Sequence, residues 1–179
     1  VDLAIGPLPQ LKGGFFQRKL MFRPQDVSGR GTIVPDGNLG MDEIGIPEDM
    51  LWKMLDKLIV ARLVRSGYDP IHARGQVDHR TAMARDAMLA EIKERPFIYN
   101  RAPTLHRYSM ISAFAKPVQG KTVRMNPFAE VGLNADYDGD TVQIHAPIQG
   151  PAIEDAKKML LSNLLLSDQQ PDQLMVSPR

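Results

Sequence analysis

Residues 134–140 read "NADYDGD", which sets Asp136, Asp138 and Asp140 on alternate positions of a five-residue run. No other stretch restricts the fold as much. In a regular strand the three carboxylates would line one face about 6.6–6.8 Å apart, at a rise of ~3.3 Å per residue. Oxygens that share one Mg²⁺ lie about 2.0–2.1 Å from it, and therefore within about 3 Å of one another. Three acids acting on one ion thus require the chain to curl, and Gly139 is the residue that permits a tight bend. The flanking "EVGLNA" and "TVQIHAPI" are mostly apolar and β-prone, which predicts a buried loop anchored between strands.

Two simpler uses of the same residues compete with a metal site. A solvated acidic turn stays open on the spacing alone. A calcium loop of the EF-hand type does not, because counting from Asp136 it requires Gly at its sixth position and Glu at its twelfth, and those positions hold Thr141 and Pro147. Carboxylates without cysteine or supporting histidine are hard oxygen ligands, which favours Mg²⁺ or Mn²⁺ over zinc. Mg²⁺ on a few carboxylates commonly completes its shell with water and substrate phosphates, which points to phosphoryl or nucleotidyl transfer.

The 179 residues suffice for one domain with a sizeable core or two small ones. A hydrophobic fraction of 43% excludes a disordered chain. No apolar run approaches the roughly 18–20 residues of a spanning helix, so no membrane partner is expected. No secretory signal is visible, and the absence of cysteine excludes disulfides and thiolate metal sites and fits a reducing cytoplasm. The start at Val1 and the end at "MVSPR" point to a piece of a longer chain. Net charge is only +1, yet Lys12, Arg18, Lys19, Arg23 and Arg30 lie within residues 12–30 against a single acid, Asp26.

Residues 1–47 are rich in Gly and Pro, with a short extended run at "GTIV" (31–34). A helix is predicted after Pro47, with Glu48 and Asp49 at its positive end and Gly67 as its stop. Its apolar stripe is Met50, Leu51, Met54, Leu55, Leu58, Ile59 and Val64. A second helix is predicted over about 80–94, ending near Pro96. "FIYN" (97–100), "KPVQGKTVRM" (116–125) and "DTVQIHAPI" (140–148) read as strands, with Gln119-Gly120 as a hairpin turn. A final helix is predicted from Pro151, with Ile153, Ala156, Met159, Leu160 and Leu164 on one face. This pattern is α+β.

Three stretches in order then carry a resemblance over nearly the whole chain. "NADYDGD" resembles the metal-binding signature of the largest catalytic subunit of multisubunit DNA-dependent RNA polymerases, the bacterial β′ subunit. "NRAPTLHR" (100–107) is similar to that family's nucleotide-proximal segment, and "RKLMFRPQDVSGRGTIV" (18–34) to the segment that begins the catalytic barrel and contacts template DNA. The resemblance implies a double-psi β-barrel with inserted helices. It divides the chain into a basic template-proximal segment with the first barrel strands (1–47), a helical insertion (48–96), the remaining strands with the catalytic Asp loop (97–150), and a C-terminal helix with a truncated end (151–179).

By the same resemblance Asp136, Asp138 and Asp140 hold the tightly bound Mg²⁺ that activates the RNA 3′-hydroxyl, while a second metal arrives with the nucleoside triphosphate. Asn134 and Arg101 match residues that face the ribose; an amide both donates to and accepts from a 2′-hydroxyl. Arg18, Lys19, Arg23 and Arg30 match basic positions along the template strand. The implied partners are template DNA, nascent RNA, nucleoside triphosphates and the other polymerase subunits, including a β-like subunit with the second barrel. The implied setting is the cytoplasm of a bacterium or a phage-infected host.

The chain departs from the family wording at two places. Tyr137 stands where Phe is usual and adds a hydroxyl that needs a partner if buried. "FRP" (22–24) replaces a Gly-Lys-Arg run. Asn134 as a turn cap and Arg101 in a salt bridge to the Asp loop are the plainer roles for those residues. His106 and His145 read as hydrogen-bonded core residues, and His72 and His79 as solvated ones. A self-contained Mg²⁺-dependent nucleotidyltransferase or nuclease, or a non-catalytic nucleic-acid-binding assembly module, are the alternative functions.

Overall fold

The computed structural model describes residues 27–104 and 109–166. Six strands close into a barrel in the order β1-β5-β2-β4-β3-β6. They are β1 (Ser28–Pro35), β2 (Glu43–Pro47), β3 (Phe97–Asn100), β4 (Met110–Val118), β5 (Val123–Met125) and β6 (Thr141–His145). Side chains that alternate inward fill the barrel: Ile33 from β1, Phe97 and Tyr99 from β3, Val123 and Met125 from β5, and Val142 and Ile144 from β6. β2 differs, because Ile44 to Pro47 are all buried. It pairs in parallel with β4 and antiparallel with β5, so it has no exposed edge.

The strand order makes the fold double-psi. β1 and β2 are consecutive in sequence, yet β5 lies between them; β4 and β5 are consecutive, yet β2 lies between them. The hairpin expected at Gln119-Gly120 is therefore absent. Gly120 does turn the chain, at φ +110, but β5 returns on the far side of β2 and pairs with β2 and β1. A turn signal is local, whereas the buried strand that separates the two arms lies some seventy residues away in sequence.

Three helices stand between β2 and β3. α1 (Glu48–Arg65) follows directly from Pro47, with Glu48 and Asp49 in its first turn and Arg62 and Arg65 in its last, matching the helix dipole. Its buried face is Leu51, Trp52, Met54, Leu55, Ile59 and Leu63, so the stripe ends on Leu63 and Val64 points outward, contrary to expectation. α2 (Pro70–Asp78) was not anticipated, although its start is well marked: Pro70 opens it and the Asp69 carboxylate accepts from Ile71 N (3.0 Å) and His72 N (3.3 Å). α3 (Ala82–Glu94) is capped by Thr81.

β4 begins at Met110, earlier than the predicted run, and "EVGL" (130–133), expected to be β-like, belongs to a short helix, α4 (Phe128–Leu133). The single C-terminal helix is instead two, α5 (Gly150–Lys158) and α6 (Leu161–Leu166). The break has a partner: Ser112 N of β4 donates to Met159 O (2.9 Å), Ser112 Oγ donates to Ala156 O, and Ser112 bridges Leu160. Backbone at 159–160 is spent on β4 rather than on the helix.

Candidate metal centre

The Asp loop leaves α4 through Asn134, which adopts left-handed geometry (φ 47, ψ 47) and ends the helix. Asn tolerates this conformation better than most residues, so Asn134 ends the helix by its backbone, and its side chain makes no hydrogen bond to the Asp turn among the described residues. Ala135 N then donates to Glu130 O (3.1 Å). Ala135 is buried and Tyr137 packs against the core, while Asn134, Asp136 and Asp138 are exposed. Alternation thus turns Asp136 and Asp138 outward on one face. The loop is anchored but not buried, which corrects the expectation drawn from its apolar flanks: those flanks hold Ala135 and Tyr137, not the acids.

The curl that spacing demanded is present. Gly139 sits at φ +120, a region that side chains strain to enter, and Asp136 N donates to Asp140 Oδ2 at 2.9 Å. The far end is pinned to β1, where Ile33 N donates to Asp140 O (3.0 Å) and Thr32 pairs with Thr141.

Arg101, just after β3, grips Asp140 in two places: Nε lies 2.5 Å from Oδ2 and Nη2 donates to Oδ1 at 3.2 Å. Both side chains are about one-fifth exposed. The guanidinium, and next the Asp136 amide, hold the Asp140 carboxyl below the usual carboxylate range. Asp136 Oδ1 accepts from Tyr137 N at 2.8 Å, and Asp138 makes no hydrogen bond or ion pair among the described residues. Tyr137 buries its hydroxyl without a hydrogen-bond partner among those residues, and burial, then the Glu130 carboxylate, pushes that hydroxyl up.

Whether these residues suit a metal divides into chemistry and arrangement. The donors are three carboxylates, with no cysteine in the chain, and fit a hard cation. Among the described residues, however, no three acids or histidines converge into a set that holds an ion. Asp140 is turned to Arg101 and Asp136 to the Tyr137 amide, so convergence requires side-chain rotation within a loop already closed.

Of the basic positions, Arg30 on β1 is exposed and its Nε donates to Thr141 Oγ1 (2.9 Å), directly beside Asp140. Sequence reasoning missed that Thr141 contact, which depends on the β1–β6 register. Arg18, Lys19, Arg23 and His106 lie outside the described residues. His145 is partly buried on β6, and His72 and His79 are exposed. No described helix is long and apolar enough to cross a membrane.

A closed double-psi barrel that carries an acidic loop at one strand's entry defines a fold class and not by itself an activity. Comparison with known sequences narrows the class. The family described as RNA polymerase Rpb1, domain 2, matches residues 71–162, a stretch that runs from α2 to α6 and includes Arg101 and the whole Asp loop. The chain belongs to this family. It is 35% identical over 163 residues to the DNA-directed RNA polymerase subunit beta′ of Ureaplasma urealyticum, covering 85% of this chain and 12% of that protein. It is 34% identical over 159 residues to the subunit of the same name from Dehalococcoides mccartyi, covering 87% and 12%. For that of Amoebophilus asiaticus the figures are 33% over 154 residues, covering 85% and 11%. The chain spans about 12% of the length of the curated relatives it matches.

Proposed function

We propose that this chain is the catalytic-centre segment of a DNA-directed RNA polymerase β′-like subunit, and that it works within the full assembly to extend RNA on a DNA template. Its relatives are DNA-directed RNA polymerase subunits, and the closed Asp loop on a double-psi barrel is the observation that carries the reading. Asp136, Asp138 and Asp140 are the Mg²⁺ ligands. Bound there, Mg²⁺ supplies positive charge that favours the ionised RNA 3′-hydroxyl and offsets charge built up at the reacting phosphate.

The chain's own residues do the positioning. Tyr137 and Ala135, turned inward, fix the face on which Asp136 and Asp138 stand. Gly139 closes the loop so that Asp136 and Asp140 lie side by side. Asn134 and Arg101 bind the ribose hydroxyls of the nucleoside triphosphate, and Arg30, with Arg18, Lys19 and Arg23, contacts template phosphates. Such contacts orient nucleic acid without reading its bases. The remaining subunits, including a β-like subunit, supply the rest of the cleft, and nascent RNA occupies it.

RNA synthesis by the complete assembly tests this. Asp136→Asn is expected to lower it by roughly a hundredfold or more, and Asn134→Ala is expected to reduce the preference for ribo- over deoxyribonucleotides. Undiminished synthesis by Asp136→Asn would sink the reading; an unaltered sugar preference would remove Asn134 from its role.

A further inference from the structure

Asp140 is the one loop carboxylate whose lone pairs are nearly all taken. An ionised carboxylate offers about two acceptor positions on each oxygen. Oδ2 receives both Arg101 Nε and Asp136 N, and Oδ1 receives Arg101 Nη2. A single position on Oδ1 is left, and it lies alongside a guanidinium. A dication arriving there meets a like charge on the ligand it needs, with solvent only partly able to screen it at one-fifth exposure.

The two loop contacts differ in how easily they give way. The Asp136 amide is fixed by the backbone closure at Gly139. Arg101 reaches Asp140 from the end of the neighbouring strand β3, 39 residues away in sequence, on a long side chain that rotates freely once released. The amide contact is thus held in place by the backbone, and the arginine contact is the one free to exchange.

On the footing that the Asp loop holds Mg²⁺ as proposed above, we infer that Arg101 and the cation are alternative partners of Asp140. Arg101 occupies Asp140 while the loop is empty, and binding of the cation releases its guanidinium toward the nucleotide. Arg101 is then a positioning residue that couples metal occupancy to substrate contact. The metal binds first, and only afterwards are the guanidinium donors free for the acceptor oxygens of a sugar or phosphate.

The test is a Mn²⁺ titration of the complete polypeptide, followed by loss of the free ion's electron paramagnetic resonance signal. Arg101→Gln is expected to bind Mn²⁺ roughly threefold to tenfold more tightly than wild type. Arg101→Lys, which keeps the charge and loses the two-point grip, is expected to fall between them. In wild type, the Arg101 Nε–H resonance is expected to shift when Mg²⁺ is added. Equal or weaker Mn²⁺ binding by both variants, or an unmoved Nε–H resonance at saturating Mg²⁺, overturns the exchange while leaving the metal site standing. Wild-type binding no stronger than that of Asp138→Asn overturns the metal site itself, and the exchange with it.

Discussion

Two arginine–carboxylate pairs divide this molecule by purpose. Arg95 and Glu91 meet at the seam between α3 and the barrel, where their side chains are 7% and 0% exposed. Arg95 Nη1 also donates to Pro147 O (2.7 Å), just past β6, and Glu91 Oε1 lies 2.6 Å from Arg62 Nε on α1. Arg101 and Asp140 meet at the mouth of the barrel at 22% and 21% exposure, and no second arginine shares that carboxylate among the described residues. The first pair is enclosed and braced from three elements, and Glu91 is shared with Arg62 and Arg65. The second is reachable by solvent and by ions. Burial, not the chemistry of the pair, separates an enclosed strut from a contact open to solvent.

The largest expected effect attacks the strut. Glu91→Ala leaves the Arg95 guanidinium buried and unmatched, and urea unfolding is expected to show a loss of about 3–5 kcal/mol. A loss under about 1 kcal/mol would mean the seam is wetter than its burial indicates. Next is the β1 wall that pins the Asp loop: a Cβ at Gly31 would sit 2.6 Å from Val123 Cγ2. Val123 is stiff at χ1, so Gly31→Ala is expected to lower stability by about 1–3 kcal/mol.

A smaller effect, of opposite sign, is expected within the loop. Tyr137→Phe removes a buried hydroxyl that has no partner among the described residues, and a thermal melt is expected to show a gain of up to about 1 kcal/mol. A clear loss would reveal a partner for the hydroxyl. The smallest is the pH response. Asp140 titrates below its ordinary value when folded, so its contribution is fully present above that value and fades as pH falls through the lowered one. Protection of the Asp136 amide against exchange, relative to its intrinsic rate, is expected to fall in acid over that window, and in Arg101→Gln the onset is expected at higher pH.

What the sequence disclosed follows the range of each signal. "FIYN" is a strand at the predicted residues 97–100, because Pro96 bounds it and its alternation is local. The α1 stripe was readable apart from its last turn, where Leu63 and not Val64 faces inward. The need for the Asp loop to curl came from three carboxylates and one glycine within five residues. The pairing of β5 with β2 and β1 was hidden, because a turn dipeptide carries no record of the buried strand that must pass between its arms. The break at Met159 was hidden for a related reason, since Ser112 recruits that backbone from a distant strand. The grip of Arg101 on Asp140 was foreseen as an ion pair to the loop, but its two-point form and its hold on the most occupied loop carboxylate depend on three-dimensional placement.

Mn²⁺ affinity measured side by side for Asp138→Asn and Glu91→Gln tests the division most directly. Asp138→Asn is expected to lose Mn²⁺ binding by roughly tenfold or more with its unfolding midpoint unchanged. Glu91→Gln is expected to lose stability while its folded fraction binds Mn²⁺ as wild type does. Wild-type Mn²⁺ affinity in Asp138→Asn would contradict the account, because the exposed acids would then have no cation to hold.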